Sequence, residues 1–149
     1  MKLTNKVLYR SAKAFEDFAH PARNSFLANQ MISFMQKNNG IGLAASQVGI
    51  SKRLFVMEVD AVQRACFNPE IIDWSVDLTD YSEGCLSFPG DECKIYRASA
   101  ITVRYQNTQG IWIQEQLDDL AARCFQHELD HLNGITMHDR AKESYATES

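Results

Sequence analysis

Residues Asp118 to Gly134 read DDLAARCFQHELDHLNG, and the spacing predicts a helix that carries its chemistry on a buried face. Asp118 or Asp119 stands where an N-cap accepts backbone N–H groups, and Gly134 stands where a left-handed residue ends a helix. Between them Leu120, Cys124, His127 and His131 follow at intervals of four, three and four, which places them on one stripe. Two apolar side chains lead into two imidazoles, so the stripe points toward a core. At about 100° per residue, His127 and His131 lie about 40° apart around the axis, and Glu128 lies about 60° beyond His131. The imidazoles can then converge on one metal ion while the carboxylate stays just outside the ligand set, placed to take and return a proton. A catalytic metal needs a third protein ligand, which this stretch lacks.

Downstream, a metalloprotease of the HExxHxxGxxH type has its third histidine ten residues after the first. Gly134 is in place, but that position is Met137 and the histidine is His138, which we read as a surface residue. Upstream, Glu83 to Gly90 reads EGCLSFPG. Gly84 and Pro89 bracket Cys85, which suits an irregular strand end presenting a thiol, and a thiolate is a strong ligand for a borderline or soft metal. Cys66, Cys93 and Cys124 read instead as small buried hydrophobes. In Gly40 to Gly49, GIGLAASQVG, small residues let a backbone pass close to a ligand. Gln47 offers a carboxamide that can donate to a developing oxyanion.

Around these stretches the pattern is that of an α+β fold, with mostly antiparallel strands around a central metal-binding helix. Leu27, Met31, Phe34 and Met35 recur at helical spacing between Pro21 and Gly40, with Asn38, Asn39 and Gly40 ending the helix. Strands are expected at Leu54 to Val59, Ala65 to Asn68, Ile101 to Tyr105 and Ile111 to Ile113, the last two joined as a hairpin through Asn107 to Gly110. Val7, Leu8 and Tyr9 read as core contacts of an N-terminal arm. We expect one catalytic domain over 1–149, its core at about 7–136 and a polar tail at about 139–149.

With 45% hydrophobic and 23% charged residues, the composition excludes a disordered or fibrous chain. No apolar run approaches the roughly 20 residues of a membrane span. A net charge of −4 argues against a specific nucleic-acid surface. Four cysteines without a secretory signal favour a reducing compartment. The basic start, MKLTNKVLYRSAKAF, reads as part of the domain in preference to an organellar leader.

Taken in order, GIGLAASQ (40–47), EGCLS (83–87) and HELDH (127–131) resemble the signature GxGLAAxQ, EGCLS, HExDH of the peptide deformylases. Arg97 and Gly110 also fall where such enzymes tend to have them. The resemblance implies a hydrolase that removes the N-formyl group from the initiator methionine of nascent polypeptides during protein biosynthesis, releasing formate. It implies Cys85, His127 and His131 as metal ligands, and Glu128 as general base and then acid. Gln47 and the backbone N–H of Leu86 would stabilise the oxyanion, with Gly42, Leu120 and Cys124 against the methionine side chain. The implied cofactor is one divalent ion, Fe2+ by expectation, with Zn2+, Ni2+ or Co2+ as alternatives. The partners implied are N-formylmethionyl peptides and a transient ribosome contact, with no membrane and no specific nucleic acid. A monomer is expected in the cytoplasm of a bacterial cell or phage-infected host. The N-terminal arm lacks the family's common proline-containing opening, and Pro89-Gly90-Asp91-Glu92 is individual to this chain. With little chain after Gly134, the expected form is a short one without the long C-terminal helix, as in some phage-borne members. A protease would need a third ligand other than Cys85. A structural zinc module would need Cys85 and Cys93 beside the histidine pair, at an unfavourable spacing.

Overall fold

In the computed structural model, which describes residues 1–148, an irregular N-terminal arm leads into α1 (Pro21–Lys37) and β1 (Gly42–Ala44). A 3₁₀ turn (Ala45–Val48) follows, then β2 (Leu54–Val59), β3 (Val62–Trp74), β4 (Leu78–Glu83) and β5 (Cys93–Ala98). The chain continues through β6 (Ala100–Gln106), β7 (Trp112–Asp118), α2 (Asp119–Leu132) and α3 (Met137–Glu148). Five strands form one sheet in the order β1-β2-β3-β6-β7, and β4 and β5 form a separate pair. Every pairing between these strands is antiparallel.

Strand β2 explains the layering. Its side chains alternate between faces, as the period of two requires, yet almost all are buried because both faces are covered. Phe55, Met57 and Val59 join the core that includes Phe125 and Leu132 of α2. Leu54 and Val56 join the core that includes Met31 and Met35 of α1. The rings of Phe55 and Phe125 meet edge to face with centroids 4.9 Å apart, inside the favourable range for aromatic pairs. Helix α2 also contacts β5, so it lies between the large sheet and the β4–β5 pair. This explains the burial of its polar residues Arg123, Gln126, His127, Glu128, Asp130 and His131.

Gly134 closes α2 in the left-handed region (φ 74°), where a Cβ would come within 2.9 Å of the Tyr9 backbone. That close approach lets the N-terminal arm cross the helix end through the Ser11–Asn133 bridge. Leu8 is fully buried there, but Tyr9 is 60% exposed, contrary to its expected place in the core. Asp118 occupies the N-cap of α2 without a side-chain capping bond, so the expected cap forms only by position. Asp119 is the first helical residue, its backbone N–H donating to Ser99 O at 3.0 Å with φ at 50°.

Strand β2 has the expected bounds, while β3 and β7 run further than expected and the β4–β5 pair was not expected. In β4, LTDYSE, all residues but the last are exposed, so no apolar alternation marks the strand. Cys93, at the start of β5, is half-buried and not a core residue. The segment expected as a polar tail is helical. Thr136 and Asp139 cap the start of α3 reciprocally, with the Thr136 N–H donating to Asp139 Oδ2 at 2.9 Å, and Met137 is buried. Among the described residues no helix is long and apolar enough to cross a membrane.

Candidate metal centre

Cys85 follows the end of β4, and His127 and His131 stand one turn apart on α2. Cys85 Sγ lies 3.3 Å from His131 Nε2, which lies 3.2 Å from His127 Nε2. All three ligand atoms fall within 4.8 Å of one another. A tetrahedral centre with bonds of about 2.0 to 2.3 Å separates its ligand atoms by about 3.3 to 3.6 Å, so this group fits a single ion. It supplies three ligands, the number of an open catalytic site, and Cys93 is outside it.

The ring of His127 is oriented from behind. Its Nδ1 lies 2.8 Å from Glu83 Oε1, so Nδ1 donates to that carboxylate and Nε2 is aimed at His131. Glu83 also accepts from Arg97 Nε (2.6 Å) and Nη2 (3.0 Å), and from Arg123 Nη1. Arg97 Nη1 reaches Asp130 Oδ2 at 2.9 Å, and Arg140 Nη2 reaches Asp130 Oδ1 at 2.8 Å. Each buried charge in this Glu83–Arg97–Arg123–Asp130 network thus meets an opposite one, the condition under which burying ions is tolerable. Burial works against the Glu83 carboxylate, but the hydrogen bonds from His127 and Arg97 hold its pKa at about 2. Burial and the neighbouring His127 and Arg97 charges lower His131 to about 3, leaving it a neutral imidazole. For His127 burial is outweighed by Cys85 and Glu83, which raise it to about 10. Without a metal, His127 thus holds a proton between Cys85 and His131, in the place a cation takes when it binds and displaces it.

Glu128 is buried, and its Oε1 has no hydrogen-bond partner among the described residues. Burial raises its pKa to about 7, a value suited to moving protons in both directions near neutrality. Gly42 makes this position possible. A Cβ there would overlap the Glu128 carboxylate and stand 2.9 Å from Cys124 Sγ.

Gln47, in the 3₁₀ turn, accepts from the Ala44 N–H through Oε1 at 2.9 Å. That bond fixes the carboxamide, so Nε2 points toward Cys85 Sγ (3.5 Å) and Ser87 Oγ (3.0 Å). Leu86 packs against the core beneath α1, close enough that a Cβ on Gly40 would lie 2.8 Å from its Cδ1. A cavity of about 770 Å³ opens over Cys85, His127 and Glu128. Gly42, Gln47, Leu86, Leu120 and Cys124 line it, as does the loop from Phe88 to Glu92. The structure therefore brings every expected site residue to one place, with His131 buried beneath the cavity floor. His138 is elsewhere, against Asp91 and Phe88.

Sequence reasoning missed Glu83, Arg123, Asp130 and Ser87 as parts of the site. A signal was available for two of them: Arg123, His127 and Asp130 recur at four and three residues, a charged stripe on a helix predicted to be buried. Such a stripe requires partners, though spacing does not name them.

A family model for polypeptide deformylases matches residues 1–146. The peptide deformylase of Thermotoga neapolitana is 44% identical over 136 residues, covering 91% of this chain and 82% of that protein. Among solved structures, the peptide deformylase of Thermotoga maritima superposes with a TM-score of 0.88 at 42% identity, covering 93% of this chain and 95% of that one. A probable peptide deformylase from synechococcus phage S-SSM7 superposes with a TM-score of 0.86 at 35% identity, covering 93% and 98%.

Proposed function

The chain belongs to the peptide deformylase family, hydrolases that remove the N-formyl group from nascent polypeptides, and from that premise we propose which of its residues perform the reaction. Cys85, His127 and His131 would hold one divalent ion. When bound, that ion supplies Lewis acidity at the floor of the cavity. We assign Fe2+ as the native ion on the family expectation; thiolate and imidazole donors also suit Zn2+, Ni2+ and Co2+.

Glu128 takes a proton from the attacking water as the new C–O bond forms at the formyl carbon. It then delivers that proton to the amine nitrogen as the C–N bond breaks, so the products are formate and a free amine. The Gln47 carboxamide donates to the oxyanion, together with the backbone N–H of Leu86. Its fixed orientation means that no reorganisation is needed when the charge develops. Gly42, Leu120 and Cys124 accept the methionine side chain; Leu120 is 39% exposed, and so available to be covered by it. Burial raises the Cys124 thiol well above its ordinary pKa, so this sulfur is a wall atom and not a nucleophile.

The chain acts as one catalytic unit and as a monomer, in the cytoplasm, on formylmethionyl peptides met at transient ribosome contacts. The observation that carries the assignment is the convergence of Cys85 Sγ, His127 Nε2 and His131 Nε2 beneath a cavity that also presents Glu128 and Gln47. Formate release from a formyl-Met peptide, measured on anaerobically prepared protein together with elemental analysis, tests it. About one metal per chain with turnover is expected, and Cys85→Ser should lose both. Fully metallated protein that releases no formate would overturn the assignment.

A further inference from the structure

His138 lies outside the metal centre, yet among the described residues it makes an aromatic and a polar contact, both with the cavity wall. Its ring meets Phe88 edge to face, with centroids 4.7 Å apart and planes at 87°. Its Nε2 donates to Asp91 Oδ2 at 3.2 Å. Phe88 and Asp91 both line the cavity. The segment they belong to begins three residues after the ligand Cys85 and has little to hold it. Its internal bonds are two turns, from Phe88 N–H to Cys85 O (3.0 Å) and from Asp91 N–H to Phe88 O (3.1 Å). Residues 89–92 are exposed, and Gly90 has open space around it.

His138 itself is firmly placed. Thr136 and Asp139 cap the first turn of α3, the adjacent Met137 is buried, and α3 packs against β5. Arg140, two residues along, is anchored on Asp130 of α2. The start of α3 thus holds a sparsely bonded stretch of the cavity wall by one aromatic contact and one polar contact.

We propose that His138 is a positioning residue for substrate binding, clamping the Phe88–Glu92 wall against α3 in the geometry that receives the peptide. It touches neither the reacting atoms nor the ligands, so it acts on the affinity for substrate and not on the chemical step. This rests on the assignment of the cavity to formylated peptides.

The test is steady-state deformylation of a formyl-Met tripeptide by fully metallated protein, with hydrogen exchange followed on residues 88–92. His138→Ala should raise KM roughly three- to tenfold, keep kcat within about twofold and leave metal content unchanged. Exchange in the loop should quicken. His138→Phe, which keeps a ring against Phe88, should recover part of the loss. Asp91→Asn, on the exposed loop, probes the same contact without touching α3, and the double variant should raise KM no further than His138→Ala alone. An unaltered KM in His138→Ala, a fall in kcat accompanied by metal loss, or additive effects in the double variant would each reject the clamp. Wild-type protein that releases no formate would reject the cavity assignment itself, which separates the two failures.

Discussion

Nδ1 of His127 lies 2.8 Å from Oε1 of Glu83, so one imidazole of the candidate metal centre is held by the carboxylate two residues before that centre's cysteine. Strand β4 therefore carries the group that aims one proposed ligand, and the chain leaving that strand presents another. Carboxylates in this position set the tautomer and raise the basicity of a metal-binding histidine.

Replacing Glu83 with Gln removes that control without a large change of shape. The neutral side chain accepts only through its one oxygen, and its NH2 group faces Arg97 together with either Arg123 or His127, all donors that need acceptors. Metal affinity is expected to fall roughly 10- to 100-fold, as found for groups that orient metal ligands. Chelator competition, followed as metal retained against free chelator concentration, measures it. Retention equal to wild type would show that Glu83 is not what orients His127.

Gly42 sets a second constraint. An added methyl group would overlap the Glu128 carboxylate and stand 2.9 Å from Cys124 Sγ, and both residues are fixed on α2. Gly42→Ala should bind metal normally while kcat falls roughly 10²-fold, the loss that a misplacement of about 1 Å can cause. Overpacking should also lower stability by about 1 to 3 kcal/mol. A metallated Gly42→Ala enzyme with wild-type kcat would mean that Glu128 tolerates displacement, and so is not the proton carrier.

Gln47→Ala isolates the oxyanion role. The loss removes one preorganised donor, for which kcat typically falls roughly 10²- to 10³-fold. The Ala44 N–H also loses its acceptor, so a thermal melt should accompany the kinetics. A kcat within about threefold of wild type in folded, metallated protein would remove Gln47 from the mechanism.

What the sequence made legible was local. Helix α2 could be found because its apolar and imidazole residues share one stripe, and β2 because it is an uninterrupted β-rich run. The β6–β7 hairpin showed through a turn tetrapeptide between two short strands. Strand β4 could not be found this way: LTDYSE is exposed on all but its last residue, and it is a strand because it pairs with β5. Helix α3 lacks a sustained apolar stripe and is placed by its cap and by packing. The ionic chain was the least legible part of the site. Glu83 and His127 are 44 residues apart and Arg97 and Asp130 are 33 apart, so the charges are visible in the sequence but their pairing exists only in the fold.

A last prediction concerns stability and lies away from the metal. Glu115 on β7 receives Arg64 Nε (2.9 Å) and Nη2 (3.1 Å) from β3 as a bidentate pair, and the hydroxyl of Tyr105 on β6 (2.6 Å). Burial alone would raise the Glu115 pKa, but the bonds from Arg64 and Tyr105 outweigh it and lower the pKa below its ordinary value of 4.5. A carboxyl whose folded pKa is depressed stabilises the fold above its unfolded pKa, and that stabilisation is lost as pH falls through the folded value. Because the pair is partly exposed, solvent screening limits it to about 1 kcal/mol. Glu115→Gln should therefore be less stable than wild type by about that amount at pH 7. The difference should shrink steadily below pH 4.5 as the wild-type carboxylate is protonated. Denaturant unfolding of both proteins across acid and neutral pH reads the difference directly, and subtracting the curves cancels the other carboxylates. A stability gap that stayed constant from neutral to acid pH would mean that shape, and not the Glu115 charge, holds β3, β6 and β7 together there.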